Sequence, residues 1–309
     1  MSPRADVALV ALDWGSSHLR AYLMGADGAV LDERFSDAGA SRIAGGATGF
    51  DAALMALLAG WAPADAPLWA CGMIGSAHGW QEVPYLECPA TLGGLRGSCG
   101  RAALSDGRQV HIVPGLRTRN ALGLPDVMRG EETQVCGLLA RHPELADGAT
   151  VLLPGTHSKW ITLRQGRVEG FDTYITGELY AVLREHSVLG RLMAPQASAD
   201  AAAFAQGVAQ AGATTATALA RLLFSVRTLG LMGELSTTAA PDYLSGLLVG
   251  AEVAAALPST NVDAPLVLAG EPALCDRYAD ALAHCGRPVQ RVQFPLAATG
   301  LWAMAQAEM

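Results

Sequence analysis

Two short polar turns, each closing an apolar run, hold residue types that can handle a phosphorylated ligand. The first is Asp13-Trp14-Gly15-Ser16-Ser17, after residues 7–12. Strand ends are where α/β proteins meet their ligands. Gly15 lets backbone approach an anion, Ser16 and Ser17 add donors, and Asp13 can hold Mg2+ directly or through water. The competing reading is an Asx-turn bonded to its own backbone. The second turn is Pro154-Gly155-Thr156-His157-Ser158-Lys159, after residues 150–153. It lacks the GxxxxGK[ST] spacing of a Walker A loop. Its successive N–H groups and the Thr156 and Ser158 hydroxyls can still cradle a phosphate. A plain hairpin turn explains the same residues without a ligand.

Lysine and arginine together number 21, and Lys159 is the only lysine. Arginine thus serves wherever charge alone is needed. A compact ammonium kept at one place suits a task that a planar guanidinium performs poorly, such as neutralising a phosphoryl group. Chance survival of one lysine is the alternative.

A third cluster is Asp126-Val127-Met128-Arg129-Gly130-Glu131-Glu132. Carboxylates at a helix start are favourable on dipole grounds alone. In an active site, one of them can accept a hydroxyl proton while the other holds a substrate hydroxyl or Arg129. The loop after Cys71 carries Ser76, His78, Trp80, Glu82 and Tyr85, an aromatic and polar mixture suited to a sugar or sugar acid. Trp80 and Tyr85 can equally be packing residues. Arg20, Arg42, Arg117, Arg119 and Arg129 are candidates to clamp a carboxylate. Residues 173–178 (Thr-Tyr-Ile-Thr-Gly-Glu) form a further polar segment at a helix start. His157 and His186 lack an HExxH-like context and suggest no metal.

These groups need a scaffold. Residues 7–12, 18–24 and 29–34 read as a three-strand meander, with a helix over 49–61 and strands at 68–71 and 109–113. The pattern then partly repeats. A helix over 131–139 precedes a strand at 150–153 and a hairpin over 160–163 and 168–172. Helices follow over 177–186, within 199–235 (clearest over 216–231) and over 246–256. A strand at 265–269 and a helix over 297–304 close the chain. This alternation predicts an α/β protein with mixed sheets and duplicated halves. The expected lobes are 1–120 and 121–295, with 296–309 returning to the first.

Hydrophobic residues make up 51% of the chain and charged ones 16%, enough to build a large core. The net charge of -8 argues against nucleic acid or an anionic membrane as partner. Cys71, Cys88, Cys99, Cys136, Cys275 and Cys285 form no CxxC pair, which predicts reduced thiols and no metal site among them. No cleavable-leader pattern or 18-residue apolar run is present, which predicts a cytoplasmic protein.

Taken in order, the motifs are identifiable. Residues 13–21 and 153–160 resemble the two phosphate motifs of the actin-like ATPase superfamily. With Gly72-Met73-Ile74-Gly75-Ser76 through Trp80, residues 82–86, 129–134 and 173–179, the chain is similar to the 2-dehydro-3-deoxygalactonokinases over about residues 7–301. The resemblance implies a two-lobed ribonuclease H-like fold with ATP and Mg2+ in an interlobe cleft, and a sugar-acid substrate. It places Asp13, Gly15, Ser16, Ser17, Arg20, Gly155, Thr156, His157, Ser158, Lys159 and Gly270 around the nucleotide. Val267-Leu268-Ala269-Gly270 would be the adenosine-side motif, with Ala269 where a second glycine is commoner. Gly72, Met73, Ile74, Ser76, Trp80, Glu82, Tyr85, Arg129, Tyr174, Thr176 and Glu178 would meet the sugar acid. Related kinases carry an aspartate base where this chain has Glu131 and Glu132; alignment with Thr133-Gln134 favours Glu132. A homodimer is expected.

Overall fold

The computed structural model describes residues 7–194, 198–213 and 218–306. In chain order the strands are β1 (Val7–Trp14), β2 (Leu19–Gly25), β3 (Val30–Ser36), β4 (Leu68–Gly72), β5 (Leu86–Glu87), β6 (Ala90–Thr91), β7 (Gly100–Ala103), β8 (Gln109–Ile112), β9 (Leu116–Arg119) and β10 (Pro125–Met128). They continue as β11 (Gly148–Leu153), β12 (Ser158–Arg164), β13 (Arg167–Tyr174), β14 (Leu266–Ala269) and β15 (Gln290–Val292). The helices are α1 (Ala47–Leu58), α2 (Leu92–Gly97), α3 (Glu131–Arg141), α4 (Thr176–His186), α5 (Ala201–Gly212), α6 (Leu219–Leu231), α7 (Ala240–Ala256), α8 (Pro272–His284) and α9 (Leu296–Gln306).

One sheet has the order β3-β2-β1-β4-β8-β7 and another β15-β14-β11-β12-β13-β6. In the first, β1 pairs antiparallel with β2 and parallel with β4, and β4 pairs parallel with β8. In the second, β11 pairs parallel with β14, and β14 with β15. Both sheets therefore build a meander and then add parallel strands on the side of its first strand. The inner strands β4 and β14 are apolar along their whole length, as strands covered on both faces must be: all five residues of the one and all four of the other are buried. The edge strand β3 instead exposes Asp32 and Glu33, charges that discourage pairing with another chain.

The chain divides into two compact units. Met1–Gly148, Leu163–Phe171 and Phe294–Met309 form one, and Ala149–Thr162 with Asp172–Gln293 the other. The place of helix α3 in the first of these units has a packing cause. Helix α3 lies against α9 through glycines: a Cβ on Gly137 would sit 2.0 Å from the Leu296 carbonyl oxygen. In the first unit, Phe50, Leu54 and Leu58 of α1 close a core with Val10, Leu12, Leu19 and Ile112. In the second, Leu152, Trp160, Leu268, Val253 and Tyr278 pack together.

Some elements differ from their sequence expectation. The small sheet β10-β9-β5 had no signal, because two- to four-residue strands are too short to show period-2 alternation. Helix α7 starts at Ala240, ahead of the expected 246, with Pro241 in a first turn where its missing N–H is harmless. Of the amphipathic stretch expected from 216, residues 216 and 217 lie outside the described residues, and α6 starts at Leu219. Among the described residues no helix is long and apolar enough to cross a membrane.

Candidate active site

In the first unit, three chain segments converge on Asp13. Asp13 lies near the end of β1, beside Cys71 on β4 in the parallel register and Arg20 on β2 in the antiparallel one. Burial raises the Asp13 carboxyl pKa, and Arg20 partly opposes the rise. The following turn is held from outside the motif. The Gly15 N–H donates to the His18 carbonyl (3.0 Å), and the Ser16 carbonyl accepts from the Ser41 N–H (3.0 Å) and hydroxyl (2.7 Å). A Cβ on Gly39 would lie 2.1 Å from the Ser17 carbonyl carbon. The brace at residues 39–41 carried no motif, since it contributes backbone and close approach only. Ser16 and Ser17 remain exposed.

Gly72 closes β4 with φ +92°, and a Cβ there would stand 2.7 Å from the Trp14 carbonyl oxygen. Gly130, with φ +110°, passes so close that its own Cβ would be 3.5 Å from the Gly72 Cα. Both positions require glycine for conformation, and the first for space as well. They bring the head of α3 to the ends of β1 and β4. The contact is also electrostatic. Burial holds the Cys71 thiol well above its ordinary pKa, and the charges of Asp13 and Glu132 add to this.

The two glutamates differ sharply. Glu132 is wholly enclosed; its Oε2 accepts from the Gly130 N–H (2.7 Å) and its Oε1 from the Thr133 hydroxyl (2.9 Å). Burial, then the charge of Glu131, pushes its pKa up to about 8 despite those hydrogen bonds. Glu131 is half-buried, and its Oε2 accepts from the Arg129 N–H at 3.0 Å. Arg129 donates from Nη2 to the Val83 carbonyl (2.8 Å) and lies 4.3 Å over the Tyr85 ring. Among the described residues its Nε and Nη1 have no hydrogen-bond partner. Three of the other candidate arginines are occupied elsewhere. Arg117 pairs with Glu87 (2.6 Å), Arg42 with Asp37 (4.0 Å), and Arg119 donates to the Gly123 carbonyl (2.8 Å).

The loop after Cys71 splits between roles. Ile74 is fully buried, and Met73 and Trp80 pack on the core. Trp80 stacks on Phe50 at 6.1 Å and meets Trp14 edge-on at 6.3 Å. Those rings serve packing, because apolar area beside a core is better buried than offered to a polar sugar. Ser76 is half-buried, while Glu82 and Tyr85 are exposed.

In the second unit, Gly155, Thr156 and His157 form the turn between β11 and β12. Helix α4 presses on it from one side. A Cβ on Gly177 would be 2.3 Å from the Gly155 carbonyl oxygen, and the Glu178 N–H donates to the Thr156 carbonyl at 2.9 Å. His157 Nε2 lies 2.5 Å from Glu178 Oε2. Gly270, at the end of β14, flanks the turn's start: a Cβ there would be 3.4 Å from the Pro154 carbonyl oxygen. Glu271 then caps α8, accepting from the Ala273 and Leu274 N–H groups at 3.1 and 2.8 Å.

Strand alternation sends Ser158 and Trp160 to one face and Lys159 to the other. Lys159 is 4% exposed, with Nζ 2.9 Å from the Thr173 hydroxyl. Ser158 is wholly buried and its hydroxyl lies 2.8 Å from the Tyr278 hydroxyl. Its hydroxyl therefore faces the interior in this structure. Tyr174 is half-buried, and burial first, then Asp172, raises its pKa to about 12.

A cavity of about 170 Å³ adjoins the turn, lined by Gly155, Thr176, Leu248, Leu274, Arg277 and Tyr278 among others. Apolar walls with a few polar groups, beside a turn that can receive phosphates, fit a nucleoside base and ribose. For a metal, no group of three His, Cys, Asp or Glu side chains converges among the described residues. A single carboxylate at Asp13 fits an ion that takes its remaining ligands from phosphates and water, the habit of Mg2+.

Two sheets of like order, one bearing an acidic turn and the other a Gly-Thr turn, define the class: an actin-like ATPase fold as used by sugar kinases. Sequence comparison narrows it. The family model for 2-keto-3-deoxy-galactonokinase matches residues 13–304, and the chain belongs to that family. It is 41% identical over 303 residues to a Rhizobium meliloti (strain 1021) protein named as the probable 2-dehydro-3-deoxygalactonokinase DgoK1, covering 96% of each chain. It is 36% identical over 283 residues to the Escherichia coli (strain K12) 2-dehydro-3-deoxygalactonokinase, covering 92% of each. A crystal structure of a Sinorhizobium meliloti protein described as a candidate 2-dehydro-3-deoxygalactonokinase superposes with a TM-score of 0.84 at 39% identity, covering 97% of this chain and 99% of that one.

Proposed function

We propose that the protein transfers the γ-phosphoryl group of ATP to the C6 hydroxyl of 2-dehydro-3-deoxy-D-galactonate, giving ADP and the 6-phosphate. The observation that carries this is the pair of carboxylates at the head of α3, one enclosed with a raised proton affinity, beside the Asp13 turn. Family membership supports the substrate.

The C6 oxygen forms a bond to the γ-phosphorus as the bond to the β–γ bridging oxygen breaks and leaves with ADP. The hydroxyl proton passes to a carboxylate of the Glu131–Glu132 pair. Glu132, with its pKa pushed up to about 8, has a proton affinity near the operating pH, as a general base requires. Its enclosure means that substrate must loosen the head of α3 to reach it. Glu131, half-buried, is the alternative because it needs no such opening.

The turn N–H groups at 155–157 and the Lys159 ammonium take up charge on the transferring phosphoryl. The cavity by Tyr278 receives the adenosine. Arg129, with unbonded Nε and Nη1, recognises the substrate carboxylate. Mg2+, held through Asp13, would supply further neutralisation of phosphate charge.

ATP-dependent phosphate transfer tests the reading across 2-dehydro-3-deoxygalactonate, 2-dehydro-3-deoxygluconate, gluconate, galactonate and glycerol, with product mass recorded. Preference for the first supports it. Preference for another acceptor keeps the phosphotransferase and replaces the substrate; transfer to none rejects the proposed reaction.

A further inference from the structure

Glu252 lies on α7, far in sequence from either turn, and it is 3% exposed. Its Oε1 accepts from the Trp160 indole N–H at 2.9 Å, and its Oε2 from the Tyr278 hydroxyl at 2.6 Å. Thr176 and Ser158 side chains also hydrogen-bond to it. Tyr278 has one hydroxyl proton, and that proton goes to Glu252. Toward Ser158 the Tyr278 oxygen can then only accept, and the Ser158 hydroxyl, 2.8 Å away, has one proton to share between Tyr278 and the carboxylate. The Trp160 and Tyr278 donors are thus both oriented toward Glu252.

These donors are not scattered. Ser158 directly follows the 155–157 turn, and Trp160 lies two residues further along β12. Thr176 begins α4, whose Gly177 presses on the Gly155 carbonyl. Thr176 and Tyr278 both line the cavity beside that turn. One carboxylate therefore ties the turn to two walls of the cavity, across β12, α4 and α8.

An enclosed carboxylate is expensive, and apolar residues would fill the same space more stably. Burial raises its pKa, while the four side-chain hydrogen bonds oppose that rise. A leucine or methionine at 252 would leave the Trp160 and Tyr278 donors without their acceptor and free to turn. What the carboxylate supplies is direction.

We propose that Glu252 is a positioning residue for nucleotide binding, fixing the 155–157 turn and the Thr176 and Tyr278 walls of the adjoining cavity in one register. The inference rests on the kinase reading and adds to it a residue that touches neither substrate. Loss of this anchor should weaken the nucleotide and leave the sugar acid's own affinity nearly unchanged.

The test is Glu252→Gln, which keeps shape but places an NH2 donor against the Trp160 or Tyr278 donor. Tyr278→Phe serves as a milder second variant that removes the relay to Ser158. ADP affinity is read by calorimetry without sugar acid, KM for each substrate by steady-state assay, and fold by circular dichroism. The expected result is a rise of roughly tenfold or more in ADP Kd and ATP KM for E252Q. Y278F should show a smaller rise, and the sugar-acid KM should stay within about twofold. Unchanged ADP affinity in folded E252Q overturns the proposal, as does an equal rise in both KM values. If E252Q does not fold, unchanged ADP affinity in Y278F overturns it. Wild-type protein that binds no nucleotide overturns the kinase reading, and this inference with it.

Discussion

Gly300 of α9 rests directly on the backbone of Thr133 in α3: a Cβ on Gly300 would lie 2.0 Å from the Thr133 carbonyl oxygen. Thr133 in turn holds Glu132 through its hydroxyl. The C-terminal helix therefore sets the position of the carboxylate pair without contributing a side chain to it.

Gly300→Ala tests that dependence. Helix propensity alone favours alanine by about 1 kcal/mol. Here the neighbour is backbone on both sides, the Thr133 carbonyl and the Gly137 N–H, and cannot swing away. Overpacking should win, with a net loss of about 1–3 kcal/mol and a Tm lower by a few degrees. Thermal unfolding reads the first effect. A fall in kcat below the unfolding range reads the second, the displacement of α3. An unchanged Tm would show that the two helices separate freely.

Glu132 makes a pH prediction with opposite signs for activity and stability. Its pKa of about 8 means that the base form gains population as pH rises through 8, so kcat/KM for the free enzyme should climb over that range. Glu132→Gln should abolish the climb and lower kcat by roughly 10²–10⁴-fold. Stability runs the other way. Burial raises the folded-state pKa above the ordinary value of 4.5, so the protonated form is the one the fold favours. That contribution is fully present below about 4.5 and is lost as pH rises through 8. At pH 9, E132Q should be the more stable protein, by a few kcal/mol at order of magnitude. Chemical unfolding at pH 5 and pH 9 reads it. A pH-independent difference between the two proteins would remove the raised pKa, and a wild-type kcat in E132Q would move the base to Glu131→Gln for the next test.

The sequence was most informative where side-chain chemistry and local pattern coincide. Asp13, Gly72, Glu132 and the 155–159 turn stand at strand ends or a helix head, where apolar runs give way to glycine and polar residues. Ser158 and Trp80 were legible as residues but not in direction. Strand register turns the Ser158 hydroxyl inward, and Phe50 draws Trp80 onto the core. Glu252 and the brace at 39–41 were not legible at all. One is an acid in an alanine-rich stretch of helix whose partners are 92 and 26 residues away, and the other acts through backbone. Such long-range relations leave no mark on local spacing.

Arg129 should control affinity for the carboxylate and little else. Its guanidinium is already oriented by the Val83 carbonyl and the Tyr85 ring, so binding loses little side-chain freedom. Arg129→Lys keeps the charge but not the planar fork. The sugar-acid KM should rise roughly 10–100-fold, with ATP KM nearly unchanged. The informative comparison is an uncharged analogue with the carboxylate as its methyl ester. Wild type and R129K should treat that analogue alike. A loss in R129K equally large for acid and ester would assign Arg129 to packing with Tyr85 rather than to recognition.

Lys159 gives the sharpest test of why one lysine is kept. Its ammonium is nearly enclosed and points at the Thr173 hydroxyl. A guanidinium is broader and presents its charge in a plane, so Lys159→Arg should not substitute, although arginine supplies every other permanent positive side chain in the protein. Lys159→Met, similar in length but neutral, removes the charge. If the ammonium stabilises the transferring phosphoryl, both variants should lose roughly 10²–10³-fold in kcat. The loss should exceed any change in ADP affinity, because the interaction strengthens as charge develops on the moving group. Single-turnover phosphate transfer together with ADP calorimetry separates the two quantities. Should K159M bind ADP normally and turn over at the wild-type rate, the lysine is a structural partner of Thr173 and phosphoryl charge is met by the turn N–H groups alone.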